Sequence, residues 1–181
     1  MEGAFGVVRF WAKRPVVPGL VWPTSVDRAV DTVRALDARL CVSIADPDRR
    51  AAADRHLEGV GCPVLRLDVD DIERPAPGCI MPTPAHLATV LAAVRALRAA
   101  DPVVVHCQAG ISRSAAVALS VAADRWIRTG HTSEAGLAAA FDQVVRVAPH
   151  IRPNVALMEM AAPLLGVDSA DWMCRAWALH R

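Results

Sequence analysis

Three β-branched residues, Val103-Val104-Val105, run straight into His106-Cys107-Gln108-Ala109-Gly110-Ile111-Ser112-Arg113-Ser114, and these into Ala115-Ala116-Val117-Ala118-Leu119. The first group reads as a buried strand. The last opens a helix of strong helix formers. The stretch between them must be a tight loop from a strand's carboxyl end to a helix's amino end. The N–H groups of such a loop, and those of the first helical turn, have no partners within secondary structure. Pointing inward, they form a cradle for an anion. The loop also carries a thiol, Cys107, and a guanidinium, Arg113.

The spacing alone says little. With five Cys and nineteen Arg in 181 residues, a Cys–Arg pair six apart arises by chance in about half of such chains. The added conditions lower that expectation steeply: His106 before the thiol, Gly110 at mid-loop, Ser114 after the guanidinium. Cys41, Cys62, Cys79 and Cys174 have no Arg at that offset. To attack phosphorus, Cys107 must act as a thiolate, and helix N-termini and neighbouring cations favour that form of a cysteine. Arg113 matches two phosphoryl oxygens at once, which Lys does not. Gly110 supplies backbone freedom for the loop to curl. The backbone of Gln108, Ala109, Gly110, Ile111 and Ser112 would hold the phosphate. His106 is expected to order the loop rather than act as a base.

The pattern His106-Cys107-x-x-Gly110-x-x-Arg113-Ser114 resembles the active-site loop of cysteine-dependent protein tyrosine phosphatases, in the flavour of the dual-specificity branch. Val145-Arg146-Val147-Ala148-Pro149-His150-Ile151-Arg152-Pro153-Asn154 is similar to that branch's approach to its last core helix. The resemblance is local at these two places, with compatible element order from about Arg39 to Gly166. It implies that the Ser114 hydroxyl hydrogen-bonds the sulfur and eases its departure; by itself the residue reads equally as a cap of the helix start. It also implies a general acid after an Ile-x-Val-x-Asp pattern. Leu67-Asp68-Val69-Asp70-Asp71 puts Asp71 there, at the start of a loop punctuated by Pro75, Pro77, Gly78 and Pro82. Asp70 is the alternative, and a turn-capping role is open to either. Asn154 resembles a loop-bracing residue of the family and is equally placed to cap the helix after Pro153.

Along the chain, residues 4–10 are expected as a first strand and residues 26–37 as a helix capped by Ser25. Trp22-Pro23-Thr24 is expected to be an ordinary turn with a buried indole. It looks like the Trp-Pro-Asp acid loop of receptor-like tyrosine phosphatases, but it lacks the Asp and lies far upstream. A strand at Leu40–Ile44 ends at Asp46-Pro47, a short helix spans Ala51 to Glu58, and Val64–Leu67 is the next strand. Thr83-Pro84 starts a helix to about Ala99, and helices near 112–128, 134–147 and 153–165 follow. Strands alternating with helices imply an α/β fold. The resemblance makes it a mostly parallel central sheet flanked by helices, of the protein-tyrosine-phosphatase dual-specificity type. One phosphatase domain over 1–181, with its core at about 39–166, is expected.

A net charge of +1 gives no reason to expect a nucleic-acid surface. No run reaches the roughly 18 apolar residues that a membrane span needs. The odd cysteine count and the charged, interrupted N-terminus point to a cytoplasmic chain. No cofactor or metal is called for; the remaining histidines (His56, His86, His131, His150, His180) lack metal-ligand spacing and are expected as surface or capping residues. The partner implied is a phosphorylated protein or a small phosphate ester. Gln108, Ala109, Ile111 and Ser112 include no Lys, which ranks phosphoinositides below phosphoproteins. A phosphoprotein-binding module and a sulfur-transfer or arsenate-reducing enzyme are the other classes such a loop serves. The last needs resolving thiols, and Cys62 or Cys79 are the candidates to meet Cys107.

Overall fold

The computed structural model describes residues 18–180. Four strands, β1 (Val21–Ser25), β2 (Leu40–Ala45), β3 (Val64–Asp68) and β4 (Val103–Cys107), form one sheet in the order β1-β4-β2-β3. Every pairing is parallel, so all four carboxyl ends share one edge. Seven α-helices accompany the sheet: α1 (Ala29–Leu36), α2 (Arg50–His56), α3 (Pro84–Arg95), α4 (Arg113–Arg128), α5 (Ser133–Val147), α6 (Val155–Leu165) and α7 (Ser169–Ala178).

Alternation along the strands divides the core in two. Val103, Val105 and Cys107 face the larger layer with Leu40, Val42, Ile44 and the helices α3 to α7. Val104 and Cys41 face α1. Helix α4 runs through the larger layer, and every residue from Arg113 to Arg125 on it is buried. Its run of Ala and Val permits that close approach, and the buried Arg125 donates to the Asp101 carbonyl at 2.6 Å.

The structure corrects several expectations. Trp22-Pro23-Thr24 is not a turn; it is the middle of β1, and Trp22 is only half-buried. Pro23 is tolerated because β1 is an edge strand, where a missing N–H breaks no central ladder. The strand expected at 4–10 lies outside the described residues. Helix 26–37 opens with a 3-10 turn at Val26–Arg28 before α1 proper. Helix α3 stops at Arg95 rather than near Ala99, since the Asp101 carboxylate takes both the Arg98 N–H, at 3.0 Å, and its guanidinium, drawing the chain into a turn. Helix α7 was not anticipated. Asp168 caps it by accepting from Asp171 N–H at 2.8 Å. Trp172 is fully buried, donates Nε1–H to the Met158 carbonyl at 2.7 Å and meets Phe141 edge to face. Val21, Trp172 and Ala176, from outside the 39–166 stretch, thus pack into the same core.

No helix among the described residues is long and apolar enough to cross a membrane.

Candidate active site

Parallel register brings the chemistry to one edge. Cys107, the last residue of β4, lies level with Ser25, the last of β1. Asp46 follows the end of β2 directly, and Asp70 and Asp71 come just after β3.

The loop after Cys107 is shaped by neighbours that grip its carbonyls. The Gln108 carbonyl accepts from Val26 N–H at 3.4 Å, Ile111 from Arg152 N–H at 2.9 Å, and Ser112 from Asn154 N–H at 3.3 Å. With carbonyls held outward, amides are free to turn in. Gly110 N–H donates to Cys107 Sγ at 3.3 Å. Gly110 has φ +78°, and a Cβ there would stand 2.5 Å from Ser25 N. Both conformation and space therefore demand glycine. On the other side, Ser114 Oγ lies 3.2 Å from the sulfur. The buried sulfur thus lies within hydrogen-bond reach of a backbone amide and a hydroxyl.

Arg113, also buried, starts α4. Its Nη1 donates to Asp46 Oδ1 and to the Val69 carbonyl, both at 2.6 Å. Among the described residues its Nε has no hydrogen-bond partner, although Asp71 Oδ2 is 3.6 Å away. One nitrogen is thus anchored while the edge of the guanidinium bearing Nε stays unbonded by protein. The sequence marks Asp46 only as the end of a strand. Its place beside Arg113 depends on β2 lying next to β4, which no local pattern encodes.

Asp71 reaches the loop and Asp70 does not. Asp71 Oδ1 accepts from Ser112 Oγ at 2.7 Å and from Asn154 Nδ2 at 3.0 Å. Asp70 Oδ2 accepts from Ile80 N–H at 2.6 Å, while Asp70 N–H donates to the Ile80 carbonyl, closing the base of the 70–83 loop. Both readings of Asn154 hold together: its Oδ1 caps α6 by accepting from Leu157 N–H at 3.0 Å, and its Nδ2 holds Asp71 and the Ile72 carbonyl. Glu73 Oε1 adds a contact to Val155 N–H at 3.2 Å.

His106 is fully buried, and neither ring nitrogen has a hydrogen-bond partner among the described residues. Burial pushes its pKa down to about 4, so the ring is neutral near pH 7 and brings no charge to the loop. In the unfolded chain it titrates near the ordinary value of about 6.5. Because the folded value is the lower one, unfolding takes up a proton below pH 6.5. The contribution of His106 to stability is therefore complete above about 6.5 and is lost as pH falls toward about 4, with a ceiling of about 3 kcal/mol. Urea unfolding from pH 7.5 to 4 should show this loss, and His106→Gln should flatten it.

Cys62 is far from Cys107. It precedes β3 at the amino end of the sheet and packs against Cys41. Cys41 pairs in register with Val104, three residues before Cys107, and burial pushes its thiol up to about 12. Cys79 is exposed, and all five thiols are free. Among the other histidines, His86 Nδ1 accepts from Thr83 N–H at the start of α3, at 3.1 Å. No cluster of potential metal ligands occurs among the described residues.

Residues 77–154 match the protein-tyrosine phosphatase family, a segment that contains the whole of this loop. The fold agrees over most of the chain. Human DUSP28 superposes with TM-score 0.52 at 24% identity, covering 88% of this chain and 93% of that one. By that segment the chain is similar to the protein-tyrosine phosphatases, and its fold is theirs. The same fold is found in a human tyrosine phosphatase-like serine/threonine/tyrosine-interacting protein, at TM-score 0.58 and 17% identity, with 78% of this chain and 88% of that one covered. PTPMT1, solved in complex with PI(5)P, matches at TM-score 0.52 and 18% identity, covering 87% of this chain and 94% of that one. No curated protein matches in sequence.

Proposed function

We propose that this chain hydrolyses phosphate monoesters on phosphorylated proteins, phosphotyrosine above all and phosphoserine or phosphothreonine as well, through a cysteinyl phosphate on Cys107. The observation that carries the reading is the convergence at Cys107 Sγ: the Gly110 amide and the Ser114 hydroxyl hold the sulfur, and the Arg113 fork and Asp71 stand at the same loop.

In the first step a sulfur–phosphorus bond forms as the ester oxygen–phosphorus bond breaks. Loop amides from Gln108 to Arg113 and the guanidinium of Arg113 hold the three equatorial oxygens, where the negative charge is spread in the transition state. Asp71 delivers its proton to the departing ester oxygen. Its Oδ1 is occupied by Ser112 and Asn154, so Oδ2 is the oxygen that carries the proton. In the second step water attacks phosphorus, the Asp71 carboxylate takes the water's proton, and the thiolate leaves with the Ser114 hydroxyl donating to it. Phosphoproteins rank above phosphoinositides as substrates because Gln108, Ala109, Ile111 and Ser112 bring no second cation into the loop.

Asp71→Asn tests the assignment. The amide oxygen can still accept from Ser112 and Asn154, so the loop stays docked. Hydrolysis of an ester with a poor leaving group should fall by about 100-fold or more, and that of an activated aryl phosphate by less than about tenfold. Equal losses on both esters would reject Asp71 as the acid. Vanadate should inhibit the wild-type reaction competitively.

A further inference from the structure

Most arginines among the described residues end on a carboxylate or a carbonyl oxygen, and four do not. Arg28, Arg55, Arg74 and Arg152 form no ion pair and no side-chain hydrogen bond there; Arg113, Arg50 and Arg95 exemplify the paired majority. Two of these four belong to segments that meet the phosphate loop or the helix beside it, and a third lines a cleft at the loop. Arg152 is tied to it by its backbone, and Arg74 follows Glu73, which docks on the start of α6. Arg28 lines a cleft of about 560 Å³ whose wall is Ala109, Gly110 and Ile111.

The lining of that cleft is rich in donors and contains no carboxylate. Arg28 comes from the turn before α1, His150 from the segment before α6, and Thr24 and Ser25 from the end of β1. The hydroxyls of Thr24 and Ser25, like the Arg28 guanidinium, are engaged in no hydrogen bond among the described residues. Apolar wall comes from Trp22 and Pro149. The cleft continues past Trp22 and Arg28 into a hollow of about 370 Å³ lined also by Asp31, Thr32, Ala35 and Leu36, where Asp31 forms no ion pair with Arg28. A guanidinium that no carboxylate engages is available to an incoming anion. The length of the channel, running from the loop along α1, suits an extended chain rather than a compact headgroup.

We infer that this cleft is a subsite for an acidic side chain of a protein substrate, at a position flanking the phosphorylated residue, with Arg28 binding the carboxylate. The inference rests on the phosphatase reading above and narrows its substrate class to acidic phosphopeptides. A peptide bound extended along this channel sets a residue near the phosphorylated one against Arg28, and the flanking positions are tested one by one.

The test uses phosphotyrosine peptides that differ at one flanking position, carrying Ala, Glu or Lys. Binding is read by fluorescence anisotropy on full-length Cys107→Ser protein, where no turnover is needed, and kcat/KM is read separately on the wild type. At one or two positions the Glu peptide should bind at least about fivefold tighter than the Ala peptide at low salt, and the gap should shrink as salt screens the pair. In the Cys107→Ser, Arg28→Glu protein the order should reverse, with the Lys peptide preferred. A misfolded variant would lose all peptides instead of reversing their order. The inference is overturned if no peptide binds, if Glu and Lys peptides bind alike, or if the Glu preference survives Arg28→Glu. Tighter, Arg28-dependent binding of an inositol bisphosphate would also overturn it. Failure of the wild type to hydrolyse any peptide counts against the proposed function alone, because the binding comparison does not depend on turnover.

Discussion

Cys107→Ser protein should fold, bind tungstate and turn over no phosphate ester. The side chain is buried, and its two hydrogen-bond partners, the Gly110 N–H and the Ser114 hydroxyl, also suit a hydroxyl. The anion site made by loop amides and Arg113 is therefore expected to persist. A serine hydroxyl has no base here to activate it: His106 is buried, without hydrogen-bond partners, on the opposite face of β4. We expect kcat on an aryl phosphate to drop by at least about four orders of magnitude, with Tm and tungstate affinity little altered. Comparable turnover in mutant and wild type would remove the covalent mechanism.

Arg113→Lys should cost at least about a hundredfold in kcat/KM although the charge is kept. The wild-type guanidinium divides its work: Nη1 is tied to Asp46 and the Val69 carbonyl, and the edge bearing Nε faces Asp71 and the loop. A lysine ammonium reaching the Asp46 carboxylate cannot also present a planar fork to two phosphoryl oxygens. The loss of one such preorganised donor set falls in the range of about 10² to 10³ in rate. A variant within threefold of wild type would mean that Arg113 does not face the phosphate. Steady-state assays with one aryl phosphate decide the matter.

What could be read from the sequence, and what could not, divides by contact range. The β4–loop–α4 unit is contiguous, and its strand formers, its glycine and its alanine-rich helix each encode their own geometry within a few residues. Asp71 could be placed after β3 by a short pattern, but its separation from Asp70 required the backbone. One carboxylate closes its own loop on Ile80, while its neighbour points at Ser112. Asp46 was invisible as an Arg113 partner because the contact spans 67 residues and depends on strand order. Strand β1 was missed for a different reason: Pro23 argues against a strand wherever its edge position is unknown. Helix α7 is not legible locally because its packing centres on Trp172, whose ring is satisfied by Met158 and Phe141 on other helices.

The most direct test of the account is chemical capture of the intermediate. Ser114→Ala should slow the second step more than the first, because the hydroxyl assists the departing thiolate. Rapid acid quenching of that variant during turnover of an aryl phosphate, followed by peptide mass spectrometry, should find one phosphoryl group on Cys107 and a burst of released alcohol close to the enzyme concentration. Steady turnover with no phosphoryl group on Cys107 and no burst would contradict the account.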